Sequence, residues 1–255
     1  SLNTIPYKIL QDIKPSTGVG YLQAMKFSHL SYLDQFNGSM ALGGFTYGTT
    51  TFEMAKGYAC LSQYGEYIDN NCLRKIEYQD GRTVYECAYK SYTVFSQDTC
   101  YMLMDCLKGV LEAPYGTGHL AKVKGHTIAG KTGTTNSTKD MWFCGFNQKY
   151  SMAVWIGYDQ PREMNSLPNM PAKIFSKYMS NLLKDDEDAD FERPDTIYDS
   201  YVDGKGLEVD YRTGVKDIFS KAATERLEEE QKEAEERQRK EAEARAQKAE
   251  EALIK

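Results

Sequence analysis

The sequence is short of the residues that most often build a metal centre. It has three histidines in 255 residues, and none of its six cysteines (Cys60, Cys72, Cys87, Cys100, Cys106, Cys144) stands in a Cys-x-x-Cys pair. Neither a zinc site nor any other metal site is therefore expected, and nothing calls for a cofactor. No run of about 18 apolar residues is present, the length a membrane-spanning helix needs. No secretory signal is visible at the start of the sequence. Basic residues (31) are outnumbered by acidic ones (37), for a formal charge of -6. With no dominant basic face, no nucleic-acid partner is expected. An initiating Met is also missing. The chain starts at Ser1 and enters an amphipathic pattern at once, with Ile5, Ile9, Leu10 and Ile13, so we expect that an upstream part precedes it.

What is there suffices for one core plus a tail, at 41% hydrophobic residues. Residues 1–35 read as two helical pieces, the second with a Ser16 cap signal. A Gly-rich turn region, GSMALGGFTYGTT, follows. Thr50 and Glu53 then have capping-box spacing at the head of a helix. CLRKIEYQDGRTVYEC alternates about Asp80-Gly81, a hairpin signal. A Cys72–Cys87 bridge is conceivable there, although a two-residue turn would set Cys72 against residue 89. A helix capped by Ser96 presents Met102, Leu103, Cys106, Leu107 and Val110 as its apolar face. Three strand-like runs, HTIAGKTG, MWFCGF and YSMAVWIGY, predict an antiparallel meander. PAKIFSKYMSNLL predicts a closing helix with Pro at its first position.

We expect a first domain over 1–184, an acidic irregular linker over 185–220, and a charged helix over 221–255. The helix carries i,i+4 pairs such as Glu228/Lys232, Glu233/Arg237, Glu236/Lys240 and Glu241/Arg245. Its lack of a sustained apolar stripe favours a solvated single helix over a coiled coil, and its partner is not readable.

The stretch GHTIAGKTGTT, Gly125 to Thr135, supports two chemistries. Gly125, four residues, then Gly130-Lys131-Thr132 matches a phosphate loop. Such a loop needs a helix to begin at the Ser/Thr, because the helix N-terminus completes the anion site. Here Gly133, Thr134, Thr135, Asn136 and Ser137 follow, poor helix formers, and the next ordered run is a strand. The other chemistry needs an edge strand. Lys131 supplies charge for a carboxylate, and Thr132 and Thr134 supply hydroxyl donors. Gly133 leaves room for a substrate, and the Thr134 amide serves as half of an oxyanion hole, a donor worth roughly 3–4 kcal/mol.

The surroundings carry a resemblance. GKTGTTNSTKDMWFCGFNQKYSMAVWIGYDQP resembles the transpeptidase domain of class A, bifunctional penicillin-binding proteins. ALGGFTYGTTTFEMAKGYA, the YGTG before the KTG strand, and SLN at the start (an S-x-N at Ser1 and Asn3) resemble the same family in the same order. The likeness covers roughly Ser1 to Leu183. It implies an α+β fold, an antiparallel sheet flanked by helices as in penicillin-binding proteins and β-lactamases, incomplete at the N-terminus and followed by the charged tail.

It implies a peptidoglycan D,D-transpeptidase that takes stem peptides ending in D-Ala-D-Ala and is acylated by β-lactams. Its place would be the extracytoplasmic face of the bacterial membrane, with a membrane anchor upstream. By motif match, Ser1, Lys131 and Thr134 are catalytic, while Asn3, Thr132, Gly133 and Thr134 bind substrate. No Ser-x-x-Lys occurs anywhere in the chain. The nucleophile is therefore expected upstream, and the chain alone is expected to be inactive. A non-catalytic penicillin-binding sensor domain and a β-lactamase relative stay open as alternatives, with the phosphate loop as a distant third. The extracytoplasmic side permits disulfides, and an anaerobic source would leave thiols.

Overall fold

A computed structural model describes residues 2–69, 72–165, 169–203 and 209–253, with side chains as far as residue 244. The chain forms two compact units, Ser1–Glu192 and Arg193–Lys255.

The first unit opens with α1 (Thr4–Ile13) and α2 (Pro15–Ala24). Ser16 does not cap α2. Lys14 takes the cap position at φ 72, and Pro15 takes the first turn, where its missing N–H leaves no bond unmade. Leu10 and Val19 of these helices bury against Met40 in the Gly-rich stretch, which is a single 3-10 turn over Gly38–Leu42 ended by Gly43 at φ 89. The chain then enters α3 (Thr51–Ser62) through the predicted capping box. The Glu53 N–H donates to Thr50 Oγ1 at 3.1 Å, and the Thr50 N–H donates to Glu53 Oε2 at 3.0 Å.

Next come β1 (Glu66–Asp69), β2 (Lys75–Glu77), β3 (Thr83–Glu86) and β4 (Lys90–Thr93), with β1 paired to β4 and β2 to β3. The β2–β3 turn is one residue longer than Asp80-Gly81 suggests. The Tyr78 N–H bonds Arg82 O, and Gly81 adopts φ 84, as in a three-residue loop with a bulge. A second irregularity after Ile76 resets the register, so Cys87 lies against Arg74 rather than Cys72. Both cysteines are thiols.

Ser96 caps α4 (Gln97–Glu112) as predicted, but the buried face is Cys100, Met104, Leu107 and Leu111. Of the predicted stripe only Leu107 is buried, and Leu103 and Cys106 face solvent. Two stripes of α4 are apolar at helical spacing, and packing selects the one that reaches the sheet.

The meander is β5 (Ala129–Thr134), β6 (Asp140–Phe146) and β7 (Ser151–Gly157), in the order β5-β6-β7, antiparallel throughout. α5 (Met170–Leu182) carries Pro171 in its first turn. Side-chain alternation splits the sheet into two buried faces. Phe143 and Val154 pack on Phe175 and Met179 of α5. Ala129 and Phe146 pack on Cys100, Met104 and Leu107 of α4 and on Tyr58 of α3. Each fully buried Phe contributes about 2–3 kcal/mol. The sheet is thus covered by helices on both sides, as the resemblance implies.

The second unit holds β8 (Ile197–Val202) and β9 (Val215–Ser220), an antiparallel pair inside the stretch expected to be irregular. Tyr198 stacks on Phe219, and Asp199 accepts from both Arg193 and Lys216 at 2.7 Å. α6 (Lys221–Leu253) continues directly from β9. Its described side chains are mostly exposed, and Glu236–Lys240 approaches to 4.0 Å.

Candidate active site on the open edge of the sheet

Lys131, Thr132, Gly133 and Thr134 occupy the last four positions of β5, opposite Cys144, Phe143, Trp142 and Met141 of β6. Among the described residues β5 pairs with β6 alone, so its other side is an open edge.

Register decides which groups that edge displays. In an antiparallel pair, residues alternate between pointing both backbone groups at the partner and pointing both away. The Thr135 N–H bonds Asp140 O at 3.1 Å, one step past the Thr134↔Met141 pair. Alternation therefore turns the amides of Lys131 and Gly133 toward β6. The N–H and C=O of Thr132 and Thr134 point off the edge. The Lys131 side chain agrees with this: its Nζ donates at 2.8 Å to Thr132 O, a carbonyl directed away from β6, and lies 3.5 Å from Thr132 Oγ1. Lys131 is half-buried, and burial holds its amine below the usual lysine range.

The two glycines of the phosphate-loop pattern have other employment. Gly125 sits in a turn at φ 78. Gly130 is a packing glycine: a Cβ there would lie 2.7 Å from Phe143 Cζ and 2.8 Å from Cys144 O. Past Thr132 the chain stays extended to Thr134, and the one helical piece before β6 is a single 3-10 turn, Asn136–Thr138. No helix springs from Thr132, which removes the nucleotide reading. Gly133 differs from Gly130. Its Cβ would meet only Trp142 Cβ, at an ordinary 3.4 Å, so the fold itself does not demand glycine there.

The β5–β6 turn is fixed by Asp140. Its carboxylate accepts from Trp155 Nε1 at 2.9 Å, and its N–H donates to Thr135 Oγ1 at 2.8 Å. Ser137 and Thr138 are held at φ 57 and 51 within this turn, a conformation that non-glycine residues rarely adopt. Ahead of β5, Asp188 accepts from the Thr127 N–H at 2.7 Å and lies 4.0 Å from His126 Nδ1, which gives His126 a structural setting.

Ser1 lies outside the described residues. Asn3 is exposed at the head of α1, and its side chain makes no capping hydrogen bond. Among the described residues no hydrogen bond joins Asn3 to β5. The structure thus brings Lys131, Thr132, Gly133 and Thr134 together and leaves Asn3 on a separate element. It adds one residue to which the sequence assigned no role. Thr117, in the YGTG stretch, places its Oγ1 2.7 Å from Thr132 Oγ1.

Comparisons with known proteins point to one family. Residues 1–180 match the family described as the penicillin binding protein transpeptidase domain. Among curated proteins, penicillin-binding protein 1A of Clostridium acetobutylicum is 34% identical over 194 residues, covering 74% of this chain and 24% of that protein. Penicillin-binding protein 4 of Bacillus subtilis is 32% identical over 174 residues, covering 68% and 27%. The chain therefore spans about a quarter of the length of these relatives. Among solved structures, penicillin-binding protein 1A of Haemophilus influenzae shares the fold at TM-score 0.71 and 22% identity, over 86% of this chain and 38% of that one. PonA1 of Mycobacterium tuberculosis, solved in complex with penicillin V, matches at TM-score 0.63 and 20% identity, over 74% and 55%. The chain belongs to the penicillin-binding protein transpeptidase family, as part of a class A type of transpeptidase domain.

Proposed function

We propose that this chain supplies the carboxylate-gripping and carbonyl-polarising side of a serine D,D-transpeptidase that cross-links peptidoglycan. The observation that carries the reading is the open edge of β5, which directs the Thr132 and Thr134 amides outward beside the Lys131 amine. An extended stem peptide can lie along such an edge as an added strand. The half-desolvated Lys131 and the hydroxyls of Thr132 and Thr134 face its terminal D-Ala carboxylate. The Thr134 N–H polarises the penultimate carbonyl, where negative charge develops during attack. Gly133 keeps the approach open, and Asn3 holds the peptide backbone.

The nucleophile is a serine in an S-x-x-K motif that this chain lacks, placed in the preceding part of the protein. Its Oγ bonds the penultimate carbonyl carbon, and the C–N bond to the last D-Ala breaks. That amine leaves with the proton the serine gave up, relayed with the help of Ser1. The amine of a neighbouring stem then takes the acyl group and surrenders its own proton. A β-lactam acylates the same serine by ring opening. The reaction belongs on the extracytoplasmic face of the membrane, with the anchor outside this stretch. Among the described residues no helix is long and apolar enough to cross a bilayer.

Labelling with a fluorescent penicillin tests the proposal. The full-length protein should label covalently, and Lys131→Ala should slow labelling by about tenfold or more, the effect of losing a charge-assisted contact. The 255-residue chain alone should not label. Covalent labelling of that chain would show that the nucleophile is misplaced.

A further inference from the structure

The loop from α4 to β5 carries a hydroxyl that the proposed function leaves unused. We propose that Thr117 is a positioning residue for Thr132, holding its hydroxyl so that the proton of Thr132 is free for the carboxylate of the acyl donor. This rests on the reading of β5 as the carboxylate-gripping strand.

The loop is pinned to the last turn of α4 on both sides of Thr117. The Gly116 N–H donates to Ala113 O at 2.8 Å, the Gly118 N–H to Val110 O at 2.9 Å, and His119 Nδ1 to Leu111 O at 2.7 Å. A Cβ on Gly116 would lie 2.3 Å from Val110 O, an approach open only to glycine. Thr117 is thus presented by a backbone with little freedom, and its Oγ1 reaches Thr132 Oγ1 at 2.7 Å.

A hydroxyl has one proton to give and two lone pairs to receive with. An ammonium only donates, so Lys131 Nζ, 3.5 Å away, can only feed the Thr132 oxygen. Between the two threonines one hydroxyl must be the donor. Without ligand, Thr132 can give its proton to Thr117. A carboxylate at the edge only accepts, and it draws the Thr132 proton to itself. Thr117 then turns its own proton onto Thr132. No covalent bond changes; two hydroxyl rotors reorient. The gain grows once the ligand excludes water, because a buried oxygen that loses its donor is costly.

The test uses the full-length protein that contains this stretch. Acylation rates are measured for Thr117→Val, Thr117→Ser and Lys131→Ala, with a penicillin bearing its free carboxylate and with the methyl ester of the same penicillin. Thr117→Val should slow acylation by the free acid about fivefold, mainly through weaker initial binding. It should leave the ester unaffected, and Thr117→Ser should react like the parent. Thr117→Ala replaces the valine variant if that one fails to fold. Equal slowing of acid and ester would make Thr117 merely structural, and an unchanged rate with the acid would likewise overturn the assignment. Lys131→Ala reports separately on the parent reading. If it leaves the free-acid rate unchanged, the carboxylate reading of β5 fails. If it slows that rate while Thr117→Val does not, only the assignment of Thr117 falls.

Discussion

Replacing Glu53 by Gln should cost this chain about 3 kcal/mol of stability at neutral pH, and the loss should fade in acid. Glu53 is buried where α3 begins. Its carboxylate accepts from the Ser28 N–H (2.6 Å), Ser28 Oγ (2.8 Å), Thr49 Oγ1 (3.2 Å), the Thr50 N–H (3.0 Å) and Thr50 Oγ1 (3.0 Å). Burial pushes this carboxyl up, but those backbone and hydroxyl donors outweigh burial and bring it from an ordinary 4.5 down to about 2. Each tenfold change in proton affinity is worth about 1.4 kcal/mol, hence about 3 kcal/mol in all. Because the folded value is depressed, the contribution is complete above the unfolded value and is lost as pH falls from about 4.5 toward 2. Urea denaturation of parent and variant at a series of pH values measures it. The gap should hold from neutral pH to about pH 5 and then close on further acidification. A gap as large near pH 2 as at neutrality would refute the reasoning, since the stabilisation would then not come from the ionised carboxylate.

The sheet glycines separate packing from function. Gly130→Ala should destabilise the fold by about 1–3 kcal/mol, because its methyl must displace Phe143 and the Cys144 carbonyl. Gly133→Ala should change stability by less than about 0.5 kcal/mol yet slow penicillin acylation in the full-length protein, and thermal melts alongside labelling rates distinguish the two. The thiols should divide by burial. Burial raises Cys60 to about 11 and Cys100 and Cys144 to about 12, so iodoacetamide at mildly alkaline pH should modify exposed Cys72 and Cys106 first. Mass spectrometry reads the order, and modification of Cys144 as fast as Cys72 in the native chain would contradict it.

Features written in local chemistry were legible in the sequence. The Thr50–Glu53 box, the Ser96 cap, the proline in the first turn of α5 and the three strands of the meander each depend on residues a few positions apart. Where two local signals competed, the sequence could not rank them. Ser16 looked like a cap, but the fixed φ of Pro15 claimed the helix start. α4 offered two apolar stripes, and only the position of the sheet chose between them. The strands β8 and β9 were hidden because their Ile, Tyr, Val and Phe are interleaved with aspartates and separated by a long connection. At the site, Lys131 to Thr134 could be named from the motif. The outward direction of the Thr134 amide could not, since it follows from pairing with β6. Thr117 reaches Thr132 across fifteen positions, through a loop folded back on α4, and no spacing in the sequence announces that return.

The two readings of GHTIAGKT both depend on backbone amides, and they differ in how those amides are arranged. A helix N-terminus gathers its unpaired N–H groups around one point, which suits a compact anion such as a phosphate. An edge strand releases every second amide, so the outward N–H groups of Thr132 and Thr134 stand about 6.8 Å apart along a line. That spacing is the repeat of an extended peptide. A phosphate could engage one such amide at a time, whereas a peptide laid antiparallel engages both and brings its carboxylate toward Lys131. Gly130, closed against Phe143, keeps β5 in the sheet and so preserves the linear arrangement. On the proposed reading, the close packing of Gly130 against Phe143 thus helps to hold β5 in the line that a peptide ligand requires.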